Sequence, residues 1–322
     1  MKRRHFIDTA VKIAGLGAAA ASGLLSIGWT PDDFVVVDKD ENAGSLEPCL
    51  LNGKDNIPSV SELKASMPEL KGSIPFAARH PSLVYLINAN PGSPCDYSPF
   101  SVGLATILNK EGFVLTSYHV VEEAIKENKL PLLYDPSTSM IRRLNVLAYS
   151  TKERFDLALG KVELPKAYAD TMPLSITRGN ITKDNVVYAV VPDNNMLTSK
   201  DIVAEVLHSI KIYGCGSERF IVEQTDVPHE RDWGWRPVVS KASYVERPGD
   251  HDPFFEAPSD LTPGCSGIAF LSARHNDITG LLMKQGGLCT GPESIRRFIV
   301  DYIYKSTGKW VPLQAEASGR SE

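Results

Sequence analysis

Residues 103–121 read GLATILNKEGFVLTSYHVV, and this stretch does most to decide what kind of fold the chain can adopt. Leu104 to Leu108 and Phe113 to Thr116 are short apolar runs, separated by Asn109-Lys110-Glu111-Gly112, four turn-forming residues. Two runs of that length around a glycine-containing turn predict a β-hairpin. Its second strand is expected to end at His119, with a helical turn through Glu122 to Lys126 beyond it. A general base has to be held rigidly, and the end of a buried strand does that. An isolated histidine in such a place is more readily explained by core or turn hydrogen bonds, so it acquires chemical meaning only from partners.

The same punctuation continues outward. Leu83 to Ile87, Val186 to Val191, Ile210 to Tyr213 and Ile278 to Met283 are further short apolar runs, with a second turn at Ala273 to Asp277. Many short strands joined this way favour an all-β barrel or sandwich over alternating α/β units. One helix is marked near the end. Pro292 suits a first-turn position, Ile295, Phe298, Ile299, Tyr302 and Ile303 recur at helical spacing, and Gly308 supplies a stop.

The whole chain sets the remaining bounds. At 322 residues it can bury one large domain or two packed halves, and its net charge of -5 provides no basic field for nucleic acid. Five cysteines, Cys49, Cys95, Cys215, Cys265 and Cys289, are scattered without a C-x-x-C pair, so no metal or other cofactor is expected. Lys2-Arg3-Arg4-His5-Phe6-Ile7 precedes a Gly/Ala-rich apolar stretch from Val11 to Trp29. That pattern resembles a twin-arginine export signal and predicts a periplasmic or extracellular protein, membrane-attached only if the segment is kept as an anchor. An ordinary amphipathic helix is the alternative. The predicted organisation is residues 1–30 signal or anchor, 31–75 an N-terminal extension with one short helix near Val60 to Leu70, 76–312 the main domain, and 313–322 a polar tail.

Two further segments carry chemistry. Phe155-Asp156-Leu157-Ala158-Leu159-Gly160 places an aspartate at the opening of an apolar strand. A carboxylate buried there needs a donor, and an imidazole N–H is one; a solvated turn aspartate is the plainer reading when the segment is taken alone. Pro263-Gly264-Cys265-Ser266-Gly267-Ile268 is a glycine-flanked turn that exposes the Ser266 hydroxyl and aims the N–H groups of Gly264 and Ser266 at one point. Donors converging in that way form an oxyanion hole. A simple Pro-Gly turn into a strand accounts for the segment equally well.

Together the three segments resemble, in order and wording, the trypsin-like serine proteases. The match is closest to the bacterial branch that reads T-x-x-H-V-V, D-L-A-L and P-G-N-S-G, and it spans roughly Pro75 to Val311. The resemblance implies an all-β fold of two packed six-stranded barrels, about 76–175 and 176–290, closed by a C-terminal helix at about 292–306. It also implies a catalytic triad of His119, Asp156 and Ser266 in the cleft, an oxyanion hole from Gly264 and Ser266, and a polypeptide substrate. The chain order His, Asp, Ser agrees with that family and not with subtilisin or the α/β-hydrolases.

Several residues depart from the pattern. Cys265 stands where Asn or Asp is usual, and Ile268 replaces a second glycine. Cys265 as nucleophile is disfavoured, because in both the serine and cysteine branches the nucleophile directly precedes a glycine. A Cys265–Cys289 disulfide is another reading of that thiol. Asp260 lies six residues before Ser266, the spacing at which trypsin carries its Lys/Arg-binding carboxylate, so it is a candidate substrate-pocket residue; a solvent-facing aspartate is the alternative. Phe220 to Pro258 reads as a long loop that shapes the cleft or covers it, the latter giving a catalytically silent binding module.

Overall fold

The computed structural model describes residues 34–54, 59, 61, 82–92, 96–127, 129–135, 140–151, 155–168, 173–179, 181–182, 185–192, 210–213, 221–224, 235–247, 250–257, 261, 264–272, 277–284 and 287–312. The candidate export signal, Asp260, Cys95 and Cys215 lie outside these residues, as does nearly all of the short helix expected near Val60 to Leu70.

The hairpin forms as its sequence requires. Strands β2 (Leu83–Pro91), β3 (Asp96–Ile107) and β4 (Phe113–Thr116) are adjacent and antiparallel, and Gly112 closes the β3–β4 turn at φ 82°. Strand β4 pairs with β8 (Leu157–Lys161) and β8 with β7 (Asn145–Ser150), while β2 pairs with β5 (Leu130–Asp135) and β5 with β6 (Met140–Arg143). Only Leu144 separates β6 from β7, so these two are one bent strand paired to β5 along one half and to β8 along the other. Counted so, six strands run round a barrel with its corner at Leu144.

The second barrel closes through direct pairing. Its order is β12 (Trp235–Arg247), β13 (Asp250–Glu256), β16 (Leu288–Thr290), β15 (Ile278–Lys284), β14 (Ala269–Ser272), β9 (Asn185–Pro192), with β9 returning to β12. Each barrel is filled by its inward apolar positions: Leu86, Ile107, Val114 and Leu133 in the first, Phe254, Phe270, Leu281 and Tyr188 in the second. The fold is therefore all-β and trypsin-like, with a helix at its C-terminus.

Much of the segment 220–258 expected as a loop is strand. Along β12, Val238, Ser240 and Ala242 are buried while Val239 and Lys241 are exposed, a period of two that makes this a barrel wall. The prolines and polar residues around it concealed that alternation. The hairpin β10 (Ile210–Tyr213) and β11 (Ile221–Gln224) follows β9 in the chain yet adds to the first sheet, through Ile212 opposite Tyr97 on β3.

Residues 34–54 wrap the domain. Strand β1 (Phe34–Val36) pairs with β7, a 3-10 turn covers Glu41–Leu46, and helix α1 spans Glu47–Leu51. Phe34, Leu46, Cys49 and Leu50 are all at most 4% exposed. Helix α3 (Pro292–Thr307) lies against this arm: Phe34 meets Phe298 edge-on at 5.1 Å, and Arg296 donates to the Leu50 carbonyl at 3.2 Å. The five apolar residues expected on its inner face are fully buried, and Gly308 ends it at φ 73°.

Candidate active site

His119 is one residue into helix α2 (Tyr118–Lys126), not the last residue of strand β4, which stops at Thr116. Ser117 occupies the position before the helix in extended conformation, but its hydroxyl does not cap the helix. It donates across the seam between the barrels to the Leu282 carbonyl at 2.8 Å. The first-turn N–H groups therefore need another acceptor, and they find it in Asp156.

Three donors converge on that residue. The His119 backbone N–H donates to Asp156 Oδ1 at 2.8 Å, His119 Nδ1 lies 2.6 Å from Asp156 Oδ2, and the Tyr118 N–H donates to the Asp156 carbonyl at 3.0 Å. A carboxylate at a helix N-terminus is also favoured by the helix dipole. Asp156 has φ 52°, and among the described residues it alone enters the left-handed region without being glycine. Aspartate tolerates that region better than most side chains, though still at a cost. The payload of the distortion is orientation: both carboxylate oxygens face the backbone and ring of the same histidine. The Asp156 side chain is 4% exposed and that of His119 26%, so the pair has a dry end and an end open to solvent. Asp156 engages one ring nitrogen of His119, Nδ1.

The serine loop is fastened to the same place. Leu104 N–H on β3 donates to the Ser266 carbonyl at 2.9 Å, and Gly267 N–H shares the Leu282 carbonyl with the Ser117 hydroxyl, at 2.9 Å. Gly267 has φ 87°, and a β-carbon there would meet the Leu104 carbonyl oxygen, Thr116 Oγ1 and the Ser117 nitrogen. The residue after Ser266 is thus packed on the residues just before His119. Gly264 takes φ 92°, and among the described residues no carbonyl accepts from the N–H of Gly264 or of Ser266. Those two N–H groups are the ones assigned to an oxyanion hole on sequence grounds. Ser266 is half-buried, whereas Cys265 is only 1% exposed.

The disulfide considered for Cys265 and Cys289 is absent: both are buried and neither is in a disulfide, and the same holds for Cys49. Burial pushes the Cys289 thiol well above its ordinary pKa and the Cys49 thiol up to about 12, which leaves both protonated and unreactive. Sequence reasoning missed Ser117 and Thr290, whose hydroxyls bridge the barrels; the signal available was a hydroxyl residue inside the 103–121 stretch and another two positions before Pro292.

No protein-family model matches this chain, and no curated protein matches it in sequence. Among solved structures it is similar to the crystal structure of Deg5, at 13% identity and a TM-score of 0.43, over 69% of this chain and 89% of that one. It is also similar to the serine endoprotease from Yersinia pestis, at 16% identity and a TM-score of 0.46, over 73% of this chain and 68% of that one. Likeness at this level does not assign the site, whose chemistry rests on the residues above.

Proposed function

We propose that the chain is a serine endopeptidase that cleaves polypeptides through an acyl-enzyme on Ser266. The observation that carries this reading is the His119–Asp156 pair, held by a 2.6 Å side-chain contact and clamped to the loop that bears a half-exposed serine. In the reaction Ser266 Oγ attacks the scissile carbonyl carbon while His119 Nε2 takes the hydroxyl proton. The N–H groups of Gly264 and Ser266 hold the developing oxyanion. Asp156 fixes the tautomer that keeps Nε2 free and stabilises the imidazolium. His119 then returns the proton to the departing amine as the C–N bond breaks, leaving an ester on Ser266. A water molecule, deprotonated by the same imidazole, releases the acid and restores the serine.

The burial of Cys265 supports Ser266 as the nucleophile, since a thiol closed off from solvent cannot meet a peptide carbonyl. The paired arginines and apolar stretch before Trp29 support export as the setting for this activity. The test is proteolysis of an unfolded protein substrate by wild type, H119A and S266A. Cleavage by wild type and its loss in both variants is expected; cleavage by S266A at the wild-type rate overturns the proposal.

A further inference from the structure

Among the described residues, three hydrogen bonds cross the seam between the barrels beside the site, and each falls next to a different member of the proposed triad. Leu104 N–H donates to the Ser266 carbonyl, Ser117 Oγ, two residues before His119, donates to the Leu282 carbonyl, and Thr290 Oγ1 donates to the Phe155 carbonyl at 2.6 Å. The third has no part in the chemistry described above. The Phe155 carbonyl and the Asp156 N–H belong to one peptide unit, whose N–H donates to the Thr151 carbonyl at 2.9 Å. That unit is gripped at both ends, from the first barrel through Thr151 and from the second through Thr290. Asp156 follows it at φ 52°, a conformation that persists only where the surroundings over-determine it.

The donor is rigid and dry. Thr290 lies at the end of β16, opposite Phe254 on one side and Leu281 on the other, and one residue before Gly291 at the start of α3. Thr290 is fully buried and Phe155 is 1% exposed, so water cannot replace the hydroxyl. We infer that Thr290 is a positioning residue, whose hydroxyl, reaching from the second barrel, fixes the peptide ahead of Asp156 so that the carboxylate meets His119. The geometry of the His119–Asp156 pair then depends on the docking of the two barrels. This inference rests on reading that pair as catalytic.

The test compares T290V, which keeps the shape and removes the donor, with T290S, which keeps the donor and removes the methyl group. Two quantities are read: kcat and KM on a peptide substrate, and the low-field proton resonance of His119 Nδ1–H in the substrate-free protein, assigned by its absence in H119A. T290V is expected to lose about 10- to 100-fold in kcat with little change in KM, the scale set by misplacing a catalytic group. Its low-field resonance is expected to broaden or vanish, while T290S keeps the resonance and stays within about threefold of wild type. The inference is overturned if T290V retains both activity and resonance, or if T290S is impaired as badly as T290V. Should T290V not fold, T290A is judged by the same criteria. The resonance needs no turnover, so it decides the role of Thr290 even if no peptide is cleaved. Cleavage and serine labelling separately decide whether the protein is a protease.

Discussion

Replacing Gly267 by alanine tests whether the serine loop is truly packed on the histidine-bearing segment. A β-carbon at this position would lie 2.2 Å from the Leu104 carbonyl oxygen, 2.4 Å from Thr116 Oγ1 and 3.2 Å from the Ser117 nitrogen. None of these can easily retreat. Leu104 is in β3 and holds Ser266 through its own N–H, and Thr116 Oγ1 is fixed by donating to the Leu104 carbonyl at 2.8 Å. The loop must therefore move by about 1 Å to restore an ordinary contact, at an overpacking cost of roughly 1–3 kcal/mol. The backbone adds to this, because φ 87° costs a non-glycine residue about 1–2 kcal/mol. A total of about 2–5 kcal/mol is a large share of the ~5–15 kcal/mol that holds a domain folded. Gly308→Ala is the control: its φ is also positive, at 73°, but a β-carbon there meets nothing within 4 Å. Urea unfolding followed by tryptophan fluorescence should place the G267A midpoint about 1 M or more below wild type, with G308A losing less than half as much. In folded G267A, displacement of Ser266 should also cut the rate by about 100-fold. Equal midpoints for the two variants would refute the packing argument.

Asp156→Asn should leave a folded protein whose kcat falls by about 10⁴-fold, as expected when the orienting carboxylate of such a triad is made neutral; steady-state peptide hydrolysis checks this. Asp301, in the middle of α3, is held by burial at a pKa raised from 3.8 to about 6, against the opposing pull of Arg297 and Lys305. The unfolded chain therefore ionises first, stability falls as pH rises from about 4 to about 6, and the penalty persists above that. Asp301→Asn should accordingly raise stability by about 1–3 kcal/mol at pH 8 and by almost nothing below pH 4, in urea titrations at the two pH values. A variant beginning at Lys54 forfeits Phe34, Leu46 and Leu50 from the core. At about 1.5–3 kcal/mol each this approaches the whole net stability, so its cooperative thermal transition should vanish in near-ultraviolet circular dichroism.

The parts of this protein that follow from local chemistry could be read from the chain. The β3–β4 hairpin and α3 are visible because short apolar runs, in the one case, and a helical period, in the other, are bounded by turn residues, Gly112 and Gly308, that have little other use. Asp156 and the Gly264–Gly267 turn each have a plainer reading alone, and stand out in the sequence only through the order and wording they share with the His119 segment. Other features depend on contacts between distant residues and carry no local mark. Strand β12 alternates in burial, but Trp235, Pro237 and Lys241 blur the pattern until β9 and β13 flank it. The β10–β11 hairpin joins the first barrel through only two residues of β3, which composition cannot reveal. Helix α2 starts at Tyr118, four residues ahead of the Glu122 expected from sequence, because Ser117 gives up its capping role to hold Leu282 while a distant carboxylate accepts the helix N–H. Hydroxyls such as Thr290 look like ordinary strand residues until the barrels are packed.

Covalent trapping examines the proposed nucleophile with the fewest intermediate steps. Purified wild type, S266A and C265A would be treated with a fluorophosphonate, digested, and the adduct located by mass spectrometry. One phosphonyl group on Ser266 in wild type and C265A, with none in S266A, is the outcome this account predicts. A modified Cys265, or equal labelling of S266A, would contradict it.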